Sequence, residues 1–398
     1  MVLSRIARDA GISRAELARS FGFSEMAATR IVRELLSAHL IEEFELPADA
    51  LPKKKAVGRP KTGLRIVSQG VFAVGITVSA YHSEVSICDA SGELFARSKV
   101  KNRSFHRAKD AASFYAKALR TLITKSEVDV DRIVGIGVAL SARTNPDRGE
   151  IVKSEYFGWS QDDGAFCAEI RKIIDLPIEI ENITNALALS EMQFGIARNA
   201  AEFALIHVAT FVGASIVSDS KVVRGNSDIT GLIGHFRSDP QELACVCGRN
   251  DCLNLSATGF GLLSSLGKLD HHAFDTDKVP NYAVALLESL GDARAVDQIK
   301  ETGRNLAPAL DMIGKLLGPK KIVISGDLGA SPAYFAGLEA ELSEEFGQSQ
   351  DQPFALVKGA ITPDRAAALL ALHAFCYSDR LDYERFARTT STGGKAHG

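Results

Sequence analysis

The chain has 398 residues, a formal net charge of -3 and 46% hydrophobic residues, enough to bury substantial cores in two or three domains. No apolar run approaches the ~20 residues that cross a bilayer, and the opening MVLSRIARDAG lacks an apolar stretch followed by a small-residue cleavage site, so a cytoplasmic protein without a membrane partner is expected. Six cysteines do not make a disulfide framework here, because Cys245, Cys247 and Cys252 crowd together while Cys88, Cys167 and Cys376 are scattered.

The charge is unevenly distributed. Residues 1–67 hold 12 Lys/Arg against 8 Asp/Glu, a balance of +4, which leaves 34 against 41, or -7, for the remainder. The basic end is the candidate polyanion binder. There, Leu3, Ile6 and Ala10 are spaced for one face of a short helix that Gly11 stops. Ser13 and Glu16 form a capping-box pattern, and Ala15, Leu17, Ala18 and Phe21 give the apolar side of a second helix ending at Gly22. Ser24 caps a third helix, with Ala28, Ile31, Val32, Leu35 and Leu36 as its buried stripe and Glu25, Met26, Thr29, Arg30 and Arg33 facing solvent. Two short helices about a tight glycine turn make a helix-turn-helix.

LIEEFEL then alternates like a strand, PADALPKKKAVGRPKTG is rich in turn residues, and LRIVS resumes as a second strand. This hairpin is the expected wing of a winged helix-turn-helix spanning 1–67. Lys53, Lys54, Lys55, Arg59 and Lys61 at its tip would neutralise phosphates, and an Arg held between Gly58 and Pro60 suits an A·T-rich minor groove. The partner implied is double-stranded operator DNA. Ser24, Glu25, Thr29, Arg30 and Arg33 are expected at the groove, with Lys54, Arg59 and Lys61 in the wing, because a recognition helix presents its early exposed positions to base edges.

From residue 70 onward strands and helices alternate, which predicts an α/β body with mixed sheets and two lobes, 70–184 and 185–380, the last helix able to return to the first lobe. The polar tail 381–398 is expected to be disordered. Within the second lobe Cys245, Cys247 and Cys252 read C-x-C-x4-C, and His235 upstream completes a Cys3His set. Such a set suits a closed tetrahedral zinc site, structural in character because no position remains for water.

The segment GLIGHFRSDPQELACVCGRNDCLNL resembles the zinc signature of the ROK family (repressor, open reading frame, kinase), G-E-x-G-H followed by C-x-C-G-x-x-G-C-x-E. The helix-turn-helix with its GRP stretch, GEIVKSEYFGWS and IVISGD also resemble that family's parts, in its order. The resemblance implies an actin-like, ribonuclease H-like two-lobed body that forms a homodimer or dimer of dimers and senses a small-molecule effector.

The family's kinases hold a catalytic base in N-D-A-N, whereas here Asn182-Ile183-Thr184-Asn185 puts isoleucine at the Asp position. Isoleucine accepts no proton. The first phosphate turn, D-x-G-G-T after G-I, is Thr77-Val78-Ser79-Ala80-Tyr81, and the second, G-T-G-x-G, is Ala209-Thr210-Phe211-Val212-Gly213. Most of the glycines that admit phosphates to the backbone are gone. Glu181 or Asp228 could serve as a substitute base, but the expectation is a non-enzyme. The family's sugar-gripping positions fall on Leu232, Asn254, Asn182, Ile183 and His235; only Asn182 and His235 are unchanged, so Asn182, His235 and Asn254 are the expected ligand contacts.

The reading is therefore a transcriptional regulator, with repression the commoner role in the family. A carbohydrate kinase with an accessory DNA-binding arm and a pure interaction protein are the alternatives.

Overall fold

A computed structural model of the chain describes residues 1–46, 62–79, 83–101, 103–225, 229–269, 291, 293–346 and 354–392. The chain opens with α1 (Val2–Arg8), α2 (Arg14–Phe21) and α3 (Glu25–Ser37). The capping box is present: Ser13 Oγ accepts from the Glu16 amide, and Glu16 reaches back to the Ser13 amide. Such a cap is worth about 0.5–2 kcal/mol. Gly22 ends α2 at φ 66°, a left-handed turn that costs other residues strain and brings α3 round against α2. Ser24 caps α3 through the Ala27 amide, and Ala28, Val32 and Leu35 are buried beneath it. The first helix stops at Arg8, earlier than the spacing predicts, and Ala10 is exposed: an isolated bridge between Ile12 and Leu64 already draws the chain toward the wing.

The wing strands β1 (Ile41–Glu45) and β2 (Thr62–Ile66) pair antiparallel, Ile41 opposite Ile66. The expected wing tip, with Lys54, Arg59 and Lys61, lies outside the described residues.

Next come β3 (Phe72–Val78), β4 (Ser83–Asp89), β5 (Leu94–Val100), α4 (Ala108–Lys125), β6 (Ile133–Leu140), the small hairpin β7 (Arg143–Asn145) and β8 (Glu150–Lys153), α5 (Ala165–Arg171) and β9 (Ile178–Asn182). They form a sheet of order β5-β4-β3-β6-β9, antiparallel on the β5 side and parallel from β3 to β9. After α6 (Ile183–Phe194), β10 (Phe203–Val208), β11 (Val212–Ser218) and β12 (Lys221–Val222), the chain continues through α7 (Gly259–Ser265), α8 (Ala293–Arg304), α9 (Ala307–Leu317), β13 (Lys321–Ser325), α10 (Pro332–Phe346) and β14 (Ala355–Lys358). The second sheet runs β12-β11-β10-β13-β14 with the same pattern of antiparallel and parallel neighbours. The same strand order thus occurs twice, the duplicated plan of an actin-like, ribonuclease H-like body. Among the described residues no helix is long and apolar enough to cross a membrane.

Two helices lie between the sheets. α6 packs on β10 and β11, and α11 (Pro363–Ala371) packs on β3, β4 and β6 as well as on α6. Its approach is close because Gly75 and Gly137 lack side chains; a Cβ on Gly137 would lie 1.7 Å from the Ala367 carbonyl oxygen. The late chain therefore packs against the first sheet, the return that was open to the last helix.

The expectation of a disordered tail is corrected for residues 381–392; residues 393–398 lie outside the described residues. Tyr383–Thr392 forms α12, Phe386 is buried, and its carbonyl accepts from Arg132 Nη1 at 3.2 Å. The same guanidinium donates through Nη2 to the Ala38 carbonyl at the end of α3, 3.1 Å away. One aromatic anchor with a paired backbone group outweighs the polar composition around it.

Candidate ligand cleft, metal cluster and DNA-reading helix

The cleft opens where the two sheets face each other, and its cavity is about 320 Å³. The register of β9 beside β6 places Asn182 opposite Leu140, at the carboxyl end of the parallel strands, where α6 begins. Ligand sites favour such strand ends. Asn182 Oδ1 caps α6 by accepting from the Thr184 amide at 2.8 Å, and Nδ2 donates to the Ala142 carbonyl at 2.8 Å. Both polar ends of this expected ligand contact are thus engaged within the protein.

Glu181, one residue earlier, is 2% exposed and receives four donors: the Asn182 amide, Asn185 Nδ2, Thr144 Oγ1 and Arg224 Nη2. Burial raises its pKa, while Arg224 and the hydrogen bonds oppose the rise. With its oxygens shared among these donors it is a poor substitute base. Asp228 lies outside the described residues. The Arg224 contact also ties the second lobe, just after β12, to the end of β9 in the first.

Ile183 is buried at the start of α6, while Leu232 is 37% exposed and lines the cleft. Asn254 does not line it: Oδ1 accepts from the Val212 amide at 3.0 Å, Nδ2 has no hydrogen-bond partner among the described residues, and the side chain is buried. Asn254, an expected ligand contact, is thus turned inward, with its acceptor on the amide at the start of β11. The segments that correspond to the family kinases' phosphate turns make side-chain contacts of their own. Thr77 Oγ1 donates to the Pro363 carbonyl at 3.3 Å. Phe211 stacks on Tyr156 of the first lobe with centroids 4.4 Å apart and planes at 22°. An aromatic pair thus bridges the lobes from the turn where kinases bring backbone amides to phosphate.

His207, at the end of β10, lines the cleft, and its pKa is pushed down to about 4 by burial. Glu84, also on the cleft wall, is raised by burial and by Asp364 beside it. Sequence spacing pointed to neither, nor to Arg143, Glu155 and Arg224, which the topology brings to the same cavity.

On one wall His235 sits in a short turn, Ile233–His235, with Cys245, Cys247 and Cys252 beside it. Their ligand atoms all lie within 4.8 Å of one another; His235 Nδ1 is 3.6 Å from Cys245 Sγ, and Cys247 and Cys252 Sγ are 3.4 Å apart. A hydrogen bond from the Cys245 amide to the Arg249 carbonyl and a bridge between Arg237 and Cys252 shape the loop. One nitrogen and three sulfurs converging this way suit a tetrahedral thiophilic cation. Arg249 Nη2 donates to Cys252 Sγ at 3.1 Å and to the His235 carbonyl, an outer contact that would offset the excess negative charge of three thiolates.

At the other end of the molecule α3 presents Glu25, Arg30 and Arg33 to solvent with Thr29 half-buried between them. Ser24 is exposed, but its hydroxyl is engaged as the helix cap. The far end of α6 meets α1: Ser4 Oγ and Arg8 Nη2 both donate to Gln193 Oε1, at 3.1 and 3.3 Å. One helix therefore begins in the cleft and ends against the helix-turn-helix.

Comparison with known proteins agrees with this layout. Residues 1–42 match a winged helix-turn-helix DNA-binding family, and residues 73–373 match the ROK family. The DNA-binding transcriptional repressor Mlc of Escherichia coli (strain K12) is 23% identical over 380 residues, covering 88% of this chain and 90% of that one. The xylose repressor of Bacillus subtilis (strain 168) is 22% identical over 344 residues, 86% and 85% of the two chains. Among solved structures, a ROK family transcriptional regulator homologous to E. coli Mlc superposes with a TM-score of 0.72 at 24% identity, covering 99% of this chain and 98% of that one. A ROK family glucokinase from Streptomyces griseus gives 0.62 at 18% identity, over 77% and 100%. At such identities the structural likeness is one of fold. With its family match running through more than half of its length, the chain belongs to the ROK family.

Proposed function

We propose that this protein is a cytoplasmic DNA-binding transcriptional repressor whose kinase-like body senses a small ligand and transfers no phosphoryl group. One observation carries the reading: α6 joins a cleft to a helix-turn-helix, and its first residue, where the family's kinases place a carboxylate, is Ile183. Isoleucine at that position cannot take the proton of an attacking hydroxyl. The Tyr156 and Phe211 stack stands where a nucleotide's phosphates would need glycine backbone. The named repressors among the relatives support the same assignment.

α3 would enter the major groove. Glu25, Arg30 and Arg33 make no hydrogen bond or ion pair among the described residues, so their side chains are available for base edges and phosphates. Two copies would read a palindrome with half-sites ~34 Å apart, as a homodimer or dimer of dimers. His235, Cys245, Cys247 and Cys252 would hold zinc, which when bound supplies a structural cross-link between the cleft wall and the loop that follows it. A ligand in the cleft would alter the seating of α6, and α6 would carry the change to α1 through Gln193.

The test is fluorescence anisotropy of the full chain on DNA flanking its own gene, across a salt series, with a parallel phosphoryl-transfer assay on hexoses. Sequence-dependent, salt-steep binding without phosphoryl transfer is the expected result. Robust ATP-dependent phosphorylation of a sugar would favour the kinase alternative, and absence of specific DNA binding would refute the regulator.

A further inference from the structure

The polar groups nearest the start of α6 are already engaged. Asn182 uses both ends of its amide, Glu181 is surrounded by donors, and Ile183 and Leu232 offer none. Arg143 differs. It faces the cleft from β7 with its side chain only 20% exposed, and its guanidinium makes no hydrogen bond among the described residues. Its Nε is buried without a partner among the described residues. Its one ion pair there is with Glu155 Oε1 at 3.8 Å from Nη2, beyond hydrogen-bond reach, and that carboxylate lies closer to Lys153, 3.3 Å away. Arg224, on the other side of the cleft, has Nη2 on Glu181 and Nη1 3.5 Å from the Val222 carbonyl but likewise leaves a buried Nε without a partner among the described residues.

A guanidinium carries five donors in a planar fork that matches the oxygens of a carboxylate or a phosphate, and leaving it largely desolvated without acceptors is unfavourable. We propose that Arg143 anchors an oxyanion on the small molecule that occupies the cleft, with Arg224 contributing from the second lobe. This rests on reading the cleft as a ligand site. Because Arg143 belongs to the first lobe and Arg224 to the second, an oxyanion shared between them fixes the separation of the lobes. The rest of the ligand lies against Ile183, Leu232 and Tyr156.

Isothermal titration of the full-length protein with D-glucuronate, D-glucose 6-phosphate and D-glucose tests the idea and separates a carboxylate from a phosphate. The expected result is that at least one anion binds roughly tenfold or more tightly than D-glucose, and that added salt weakens it. Arg143→Gln is expected to weaken that binding by roughly tenfold or more. Arg143→Lys, which keeps the charge and loses the fork, is expected to fall in between and guards against a folding defect. Failure of both anions to bind at millimolar concentration, equal binding of D-glucose, or an Arg143→Gln variant that melts normally and binds normally would overturn the proposal. The same samples are titrated with operator DNA. DNA binding without anion binding overturns this inference and leaves the regulator standing, and anion binding without DNA binding does the reverse.

Discussion

Replacing Gln193 by alanine should loosen the helix-turn-helix from the body while leaving the cleft intact. Gln193 is 1% exposed, and its Oε1 receives Ser4 Oγ at 3.1 Å and Arg8 Nη2 at 3.3 Å. Arg198 Nη2 adds a longer contact to the Ala7 carbonyl at 3.5 Å. A neutral hydrogen bond contributes about 0.5–1.5 kcal/mol and one to a charged group about 1.5–3, so the pair together is worth about 2–4.5 kcal/mol. That corresponds to a rise of roughly 30- to 2,000-fold in the population with α1 undocked. Native-state hydrogen exchange reads this directly: amides of Val2–Arg8 should exchange faster by about that factor, while those at the start of α6 keep their protection. Operator affinity of the variant should no longer respond to an occupant of the cleft. Unchanged protection of α1, or equal loss of protection at both ends of α6, would refute the idea that this contact is the joint between the two parts.

Acidification should destabilise the protein below pH 6.5. Burial pushes both His207 and His373 down to about 4, whereas the unfolded chain titrates them near 6.5. Between those values the unfolded state holds more protons, so their stability is complete above 6.5 and is lost as pH falls toward 4, at most ~3 kcal/mol for each. Melting temperature should drop from pH 7 to pH 5 and drop less in His207→Asn; a flat profile would contradict this. Zinc analysis should return about one metal per chain, and Cys247→Ser should lower both metal content and melting temperature because metal binding is linked to folding; full stability of metal-free protein would argue against a structural ion. Arg30→Ala and Arg33→Ala should each weaken operator binding by about 1–3 kcal/mol in anisotropy titrations without changing the melting temperature. Ile183→Asp should give no measurable sugar phosphorylation, because the Tyr156 and Phe211 stack and the glycine-poor turns remain; turnover in that variant would show that the substituted base alone had silenced the enzyme.

Much of the amino-terminal unit was legible from the residues alone, because its signals are local. Ser13 with Glu16, Ser24 as a cap, Gly22 in the left-handed region and the buried stripe Ala28, Val32 and Leu35 each depend on neighbours within a turn of helix. The Cys3His cluster was legible for the same reason: three ligands lie within eight residues, and His235 is close by in sequence. The doubled five-strand order followed from alternating strands and helices only as a class of fold, not as a pairing scheme.

What the residues could not disclose was which polar groups were already engaged. Asn182 and Asn254 have the same side chain, yet one lines the cleft and the other turns inward to the Val212 amide, a choice made by the meeting of a strand and a helical turn 42 residues apart. Arg143, Arg224, Tyr156 and Phe211 became parts of one cavity when the two sheets faced each other, and Arg132 reached Ala38 and Phe386 when three distant segments converged. Capping and ligand spacing are set within a few bonds of chain and so are written in the sequence itself. Partnership across a cleft is set by the packing of whole sheets and helices, and only the tertiary structure decides it.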